Sequence, residues 1–243
     1  MYDIIFISYN EPNADENYAL LKQRFPLAKR VNGVTGIHQA HVAAAKKSFT
    51  KMFWVVDGDA VILDSFNFDY VVPDWDLETV HVWSSRNPIN DLTYGYGGVK
   101  LLPKQLTINM DTNTVDMTTS ISTSFKPMPQ ESNITAFNTD PFNTWKSAFR
   151  ECVKLSSNVI PSDTLKHDAP PDKIADIHER LTTSRLHHWC TKWSNRPFSD
   201  YALKGALAGK EYGEKNASNP EALLKINDFT WLQDRWSLEK FPQ

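Results

Sequence analysis

Phe53-Trp54-Val55-Val56-Asp57-Gly58-Asp59 is the stretch that decides how this chain is read. Four large apolar residues in a row, with Met52 ahead of them, suit a strand buried on both faces of a parallel sheet. The run then stops on two carboxylates one residue apart. Groups just past the carboxyl end of such a strand face the edge where open α/β sheets bind ligands, and two carboxylates there can share a hard cation. Gly58 lets a ligand approach the backbone closely. The tripeptide also serves as an ordinary Asp-Gly turn, and the apolar lead-in tips the reading toward a metal site.

Working outward, Ile4-Ile5-Phe6-Ile7-Ser8-Tyr9 is a second short apolar run, ending in the turn-rich Asn10-Glu11-Pro12-Asn13. Between the two runs, residues 15–25 place Tyr18, Leu21 and Phe25 on one helical face, and Pro26 closes it. A short strand is expected at 28–31, then Gly33 and Gly36, then an Ala-rich helix over 37–49. Strands alternating with helices of this length imply right-handed βαβ units and a mostly parallel sheet flanked by helices. Further strands are expected at 80–83, 99–102 and 134–137. Residues 104–133 are polar and rich in Ser and Thr, and read as a loop or irregular hairpin. Asp140-Pro141 opens a helix through Leu155, with a carboxylate at the cap and Pro at the first turn. A loop follows over 156–171, and a second long helix over 173–188. No linker divides the chain, so a single α/β domain over 1–243 is expected.

The composition excludes other classes. With 243 residues, 41% hydrophobic and 23% charged, the chain is globular and long enough for a full core. No apolar run approaches the roughly 18–20 residues of a membrane span. The opening run carries no basic region or cleavage site, and Cys152 and Cys190 are too few for a disulfide framework. A cytoplasmic protein without membrane contact is expected. A net charge of -3 argues against a generally basic nucleic-acid coat.

Two families share the Asp-x-Asp signature. Asp57-Gly-Asp59-Ala-Val-Ile62 resembles the phosphatase motif of the haloacid dehalogenase family, in which the first Asp would be a phosphoryl-accepting nucleophile. That family places the motif on its first strand, whereas strands and helices precede it here. The order of elements resembles the metal-dependent nucleotide-sugar glycosyltransferases of the GT-A fold: an opening strand, a Tyr9-Asn10-Glu11 loop, a Gly-flanked helix, and an apolar strand ending in Asp-x-Asp. Trp83-Ser-Ser-Arg-Asn-Pro-Ile-Asn-Asp91 and Tyr94-Gly-Tyr-Gly-Gly-Val-Lys-Leu-Leu-Pro103 are further similar to glycosyltransferases of tailed bacteriophages. Some of that group are implicated in adding sugars, arabinose among them, to hydroxymethylcytosine in phage DNA.

The resemblance implies roles for particular residues. Asp57 and Asp59 would hold Mn²⁺ or Mg²⁺ on the diphosphate of a UDP-linked donor, neutralising charge as the nucleoside diphosphate leaves. Ser8, Tyr9, Asn10 and Glu11 would cradle the base, although Tyr9 also fits a strand-end aromatic packed on the core. His38 and His41, three apart on one helix face, could place one ring against ribose or phosphate. Gly97 and Gly98, in the run Gly95-Tyr-Gly-Gly98, would let backbone N–H groups close on sugar or phosphate. Arg86 would clamp phosphate or acceptor, with a surface ion pair as its plain alternative. Asp140 stands where inverting members carry the general base, and a helix cap explains it equally. His188 or His187 could complete the metal site.

One segment is basic. Arg180, Arg185, Lys192 and Arg196 cluster with Trp189 and Trp193, the composition of a nucleic-acid groove in which cations meet phosphate and indole stacks on bases. Alternatively, the tryptophans belong to the core of an amphipathic helix. On this reading residues 1–103 form the nucleotide-sugar-binding half and 104–243 a less regular acceptor-side half. The expected activity is sugar transfer to a hydroxyl, with hydroxymethylcytosine in DNA as acceptor. Transfer to a glycan or small molecule, a phosphatase, and a non-catalytic sugar-nucleotide-binding domain are the alternatives. A sugar-nucleotide pyrophosphorylase would need a Gly-rich loop and a Lys/Arg signature after the first strand, which the sequence lacks.

Overall fold

The computed structural model describes residues 1–159 and 171–239, the side chains of 171–178 excepted. The described residues form two compact units, one built from 1–112 and 117–136, the other from 113–116, 137–159 and 171–239.

The first unit is an α/β sandwich on one mixed sheet. Its strands are β1 (Asp3–Ser8), β2 (Lys29–Asn32), β3 (Met52–Asp57), β4 (Ala60–Ile62), β5 (Val80–Arg86), β6 (Thr93–Tyr94), β7 (Val99–Pro103) and β8 (Phe125–Thr135). They lie in the order β2-β1-β3-β7-β5-β8-β4, with β6 paired to β5. β1 pairs in parallel with both β2 and β3, and β5 with β8. β7 is inserted antiparallel between β3 and β5, and β4 and β6 also run against their partners.

The mostly parallel sheet expected from the sequence is thus corrected to a mixed one. The reason lies in the connections. Helices α1 (Ala14–Arg24) and α2 (Ile37–Lys47) provide crossovers only as far as β3. From β5 the chain reaches the adjacent β7 through β6 with no helical crossover, and so short a connection places the two antiparallel, which also sets β7 against β3 on its other side.

Alternation along the strands buries both sheet faces. Ile4, Phe6, Trp54, Val56, Trp83 and Leu101 face α1 and the Phe66/Phe68 loop. Ile5, Phe53, Val55, Val82 and Leu102 face α2, with Met117 and Ile121 of α4 (Met117–Ile121) on the same side. Trp54 meets Trp83, Phe66 and Phe68 at ring separations of 4.5–5.9 Å, the range in which aromatic pairs add to their area burial.

The stretch 104–133, expected as loop, holds α3 (Lys104–Ile108), α4 and most of β8. Pro127 and Pro129 argue against a strand in sequence, since proline cannot donate to a ladder. The structure accommodates them beside register shifts in the β5–β8 pairing, on a segment whose first half is mainly exposed. The expected late strand at 134–137 is the end of β8, and Ala136 and Phe137 lie beyond it.

The second unit is helical, where a less regular region was expected: α5 (Pro141–Ser157), α6 (Pro171–Thr191), α7 (Ser199–Asn216), α8 (Pro220–Leu224) and α9 (Phe229–Leu238). The loop expected up to Pro171 lies, beyond residue 159, outside the described residues. Trp145, Phe149, Val153, Leu223, Ile226 and Leu232 form its core. Cys152 and Cys190 are free thiols of this unit that hydrogen-bond each other, and burial pushes Cys152 well up.

Gly205, Gly209 and Gly213, three of the chain's nine glycines, share one face of α7. A Cβ on Gly205 would overlap the carbonyl of Trp145, and one on Gly209 the carbonyl of Phe149. The absence of side chains lets the α7 backbone lie directly on α5. Gly209→Ala should therefore destabilise the chain by about 1–3 kcal/mol despite the better helix former, because the clash is with backbone. Urea unfolding measures this, and a stabilised variant would mean the helices are not in backbone contact.

Candidate functional site

The carboxyl ends of β1 and β3 and the amino end of β7 come together at one edge of the first unit. Asp57 pairs with Ile7 of β1, and Val55 stands opposite Lys100 of β7. Asp57 lies two residues on from Val55, so it and Lys100 are diagonal neighbours on the face covered by α2. Lys100 Nζ donates to Asp57 Oδ2 at 2.7 Å, and the Gly98 N–H donates to the same oxygen at 2.9 Å. The Asp57 N–H in turn donates to the Gly98 carbonyl at 2.8 Å. Burial raises the Asp57 carboxyl, but Lys100, His41 and the two hydrogen bonds outweigh it, leaving Asp57 below the usual carboxylate range.

The glycine loop is shaped for this contact. Gly97 and Gly98 have φ of 145° and 87°, a region that disfavours side chains. A Cβ at Gly97 would stand 3.4 Å from Asp57 Oδ2, and one at Gly98 would overlap the Asn133 amide. Ser85 Oγ fixes the loop from below, within hydrogen-bond distance of the Gly97 carbonyl (2.6 Å) and Asn133 Oδ1 (2.8 Å).

Glu11 closes the other side. A Cβ at Gly58 would be 2.7 Å from Glu11 Oε2 and 3.1 Å from Ser8 Cβ, so glycine lets the Asp57-Gly58-Asp59 turn lie against the β1 loop without displacing the Glu11 carboxylate. Glu11 Oε2 accepts the Tyr9 N–H at 2.7 Å, and Asn17 Nδ2 donates to the Gly58 carbonyl at 2.9 Å. Asp59 is half-buried, and its carbonyl accepts the Ala136 N–H. Tyr9 and Asn10 are exposed. The alternative placement of Tyr9, packed on the core, does not occur. Ser8 is buried, its hydroxyl held between Asn32 (2.8 Å) and Arg30 (2.9 Å), so it builds the edge rather than presenting a free hydroxyl.

His38 and His41 are both buried, at 3% and 1% exposure, not ranged along an open helix face. His41 Nδ1 lies 2.8 Å from the Ile37 carbonyl, which can only accept, so this nitrogen carries the proton. Its Nε2 is then a lone-pair acceptor with no hydrogen-bond partner. Burial and the charge of Lys100 hold the ring neutral, with its pKa down to about 4.

This geometry bears on the divalent cation expected at Asp57 and Asp59. Asp57 Oδ2 already accepts from the Gly98 N–H and from the Lys100 ammonium 2.7 Å away. Among the described residues no three His, Cys, Asp or Glu side chains are grouped to hold a metal ion. As arranged, Asp57 Oδ2 is the counterion of a lysine.

Other expected residues fall elsewhere. Arg86 Nε pairs with Glu131 at 3.1 Å, the plain alternative for that side chain. Asp140, in the second unit, caps α5: Oδ1 accepts the Asn143 N–H at 2.8 Å, and Oδ2 accepts from Thr139 Oγ1 and Asn143 Nδ2. The cap accounts for both of its oxygens. Half-buried His188 and Arg185 and exposed Arg180 lie on α6, with exposed Lys192, Trp193 and Arg196 just beyond it. Trp189, at 2% exposure, belongs to the core beside Phe137, with ring centroids 6.0 Å apart.

Lys100, Asn133 and Ser85 are the site residues that sequence reading misses. Lys100 carried one usable signal, a lone cation inside the otherwise apolar run Val99-Lys-Leu-Leu102. Comparison with known protein families, characterised proteins and solved structures finds no match to this chain.

A pH dependence follows from His41. Its folded pKa lies below the ordinary value of 6.5, so its contribution to stability is complete above pH 6.5 and is lost as pH falls toward 4. The full shift corresponds to about 3 kcal/mol. Urea unfolding at pH 7 and pH 4.5 should show wild type losing about 2–3 kcal/mol more than His41→Gln over that interval. Equal losses would mean that the ring is not held neutral.

Proposed function

We propose that this chain is a nucleotide-sugar-dependent glycosyltransferase of the GT-A kind, with the donor seated at the edge formed by β1, β3 and β7. The observation that carries this reading is the Asp57-Gly58-Asp59 turn at the end of β3, faced by the Gly97–Gly98 backbone, with exposed Tyr9 at the exit of the neighbouring parallel strand. That is the edge at which open α/β sheets take nucleotides. Tyr9 offers a ring for a base. The Gly97–Gly98 turn, free of side chains, lets a phosphate or sugar come up to the backbone. In transfer, the bond from the anomeric carbon to the diphosphate breaks, and its electron pair leaves with the nucleoside diphosphate. The acceptor oxygen bonds to the anomeric carbon and releases its proton.

A panel of nucleotide sugars tests this, with released products identified. Release of a nucleoside diphosphate from one donor at least tenfold faster than from the others is expected. Inorganic phosphate released from a sugar phosphate would favour the haloacid dehalogenase-like phosphatase instead. Binding without turnover would leave a sugar-nucleotide-binding domain.

The proposed acceptor is hydroxymethylcytosine in DNA. Exposed Arg180, Lys192, Trp193 and Arg196 support it, since a few cations around an exposed indole can hold phosphates and stack a base turned out of the duplex. Binding to hydroxymethylated DNA should weaken steeply with salt. Replacing Lys192 and Arg196 by Ala should reduce the log–log salt slope by about 2, roughly one per phosphate contact. An unchanged slope, or no binding by wild type, would move the acceptor to a glycan or small molecule.

A further inference from the structure

Lys100 is the least expected residue of the first unit. Its side chain is 6% exposed, on a strand whose other residues are all buried. A buried ammonium costs several kcal/mol of desolvation even when paired, and a buried ion pair is seldom retained for stability alone, because an apolar pair of similar volume does as well. Its place at a ligand-binding edge therefore asks for a second role.

The ammonium has donors to spare. Lys100 has three N–H donors; Asp57 takes one, and no other hydrogen-bond partner stands among the described residues. Asp57 is itself 30% exposed, so the pair opens toward solvent at the strand end. Gly97 keeps the Asp57 side of that opening free of a side chain, while Gly98 makes room for the Asn133 amide. On the α2 side His41 feels the charges of both Lys100 and Asp57, and its Nε2 is buried and unpartnered. Its lone pair can accept a hydrogen bond from a ligand's hydroxyl or from a bridging water.

We propose that Lys100 is the cation that receives the donor's diphosphate, with Asp57 as the positioning partner that holds the ammonium at the edge. The assignment rests on the donor site proposed above. It gives the charge role of the Asp-x-Asp motif to a side chain of the protein. As the anomeric bond breaks and its electron pair passes to the diphosphate oxygens, the fixed ammonium offsets the growing negative charge. The lysine needs no reorganisation to do so, since Asp57, itself held by the Gly98 N–H, already fixes it.

Calorimetric titration with four nucleoside diphosphates (UDP, GDP, CDP and ADP), in EDTA and in Mn²⁺, separates the possibilities. For the wild type, one of the four should bind in EDTA, with affinity within threefold of that in Mn²⁺. Lys100→Met should lose at least tenfold in affinity, and Asp57→Asn less than threefold, because the ammonium survives the second change. The double variant Asp57→Asn, Lys100→Met leaves no buried charge unpaired. It serves where Lys100→Met alone fails to fold, and should bind as poorly as the single lysine variant. Binding that needs Mn²⁺ and disappears in Asp57→Asn would overturn the assignment and return Asp57 to a metal, leaving the transferase reading intact. So would wild-type affinity in the folded lysine variants. No binding of any of the four in either buffer would overturn the assignment and the donor site together.

Discussion

The ion pair between Asp57 and Lys100 is the interaction on which the edge of the first unit depends. It joins β3 to the strand that runs against it, and the Gly98 N–H bonded to the same oxygen ties the glycine loop to the pair. Remove the carboxylate and the loop loses its anchor; remove the lysine and a buried charge is left alone. Such a pair is expensive, and the sheet around it is apolar on both faces. Polar groups therefore collect where the strands end, the one place at which backbone and side chains can turn to water.

His41 shows how tightly this edge is built. The α2 helix brings its ring against Asp57 and Lys100, and the helix's own Ile37 carbonyl fixes the tautomer. A protonated ring would add a second buried cation beside Lys100, so the site is electrostatically consistent only with a neutral histidine. Gly58 and Gly98 obey the same economy of space, one admitting Glu11 and the other Asn133.

The second unit solves a different problem by similar means. Its helices bring large rings together, with Trp145 stacked on Phe149 at 4.7 Å and Trp236 at 5.5 Å from Trp145. Bulky residues on one side of α5 are matched by the glycine face of α7 on another, where the two backbones lie in contact. The acidic cap at Asp140 belongs to this helical scaffold, which satisfies N–H groups that the first turn of α5 leaves open.

Patterns local in sequence were enough for much of this. The apolar runs of β1 and β3, the helices between them, the Asp140-Pro141 helix start and the Asp57-Gly58-Asp59 turn all follow from periodicity and turn chemistry within a few residues. What depended on pairing across the chain was not legible. The direction of β7, its register, and hence the meeting of Lys100 with Asp57 require knowing that a strand 43 residues away lies beside β3. β8 was hidden by its prolines, because only its shifted pairing with β5 makes room for them. The glycines of α7 read as weak helix formers until α5 is laid against them. The sequence by itself determined the strands and helices as far as β3, the later apolar strands β5 and β7, the helix that starts at Asp140-Pro141, and where carboxylates leave the core. Only the tertiary structure decided what those carboxylates face, since partners distant in the chain are chosen by sheet register and helix contact, which no local pattern encodes.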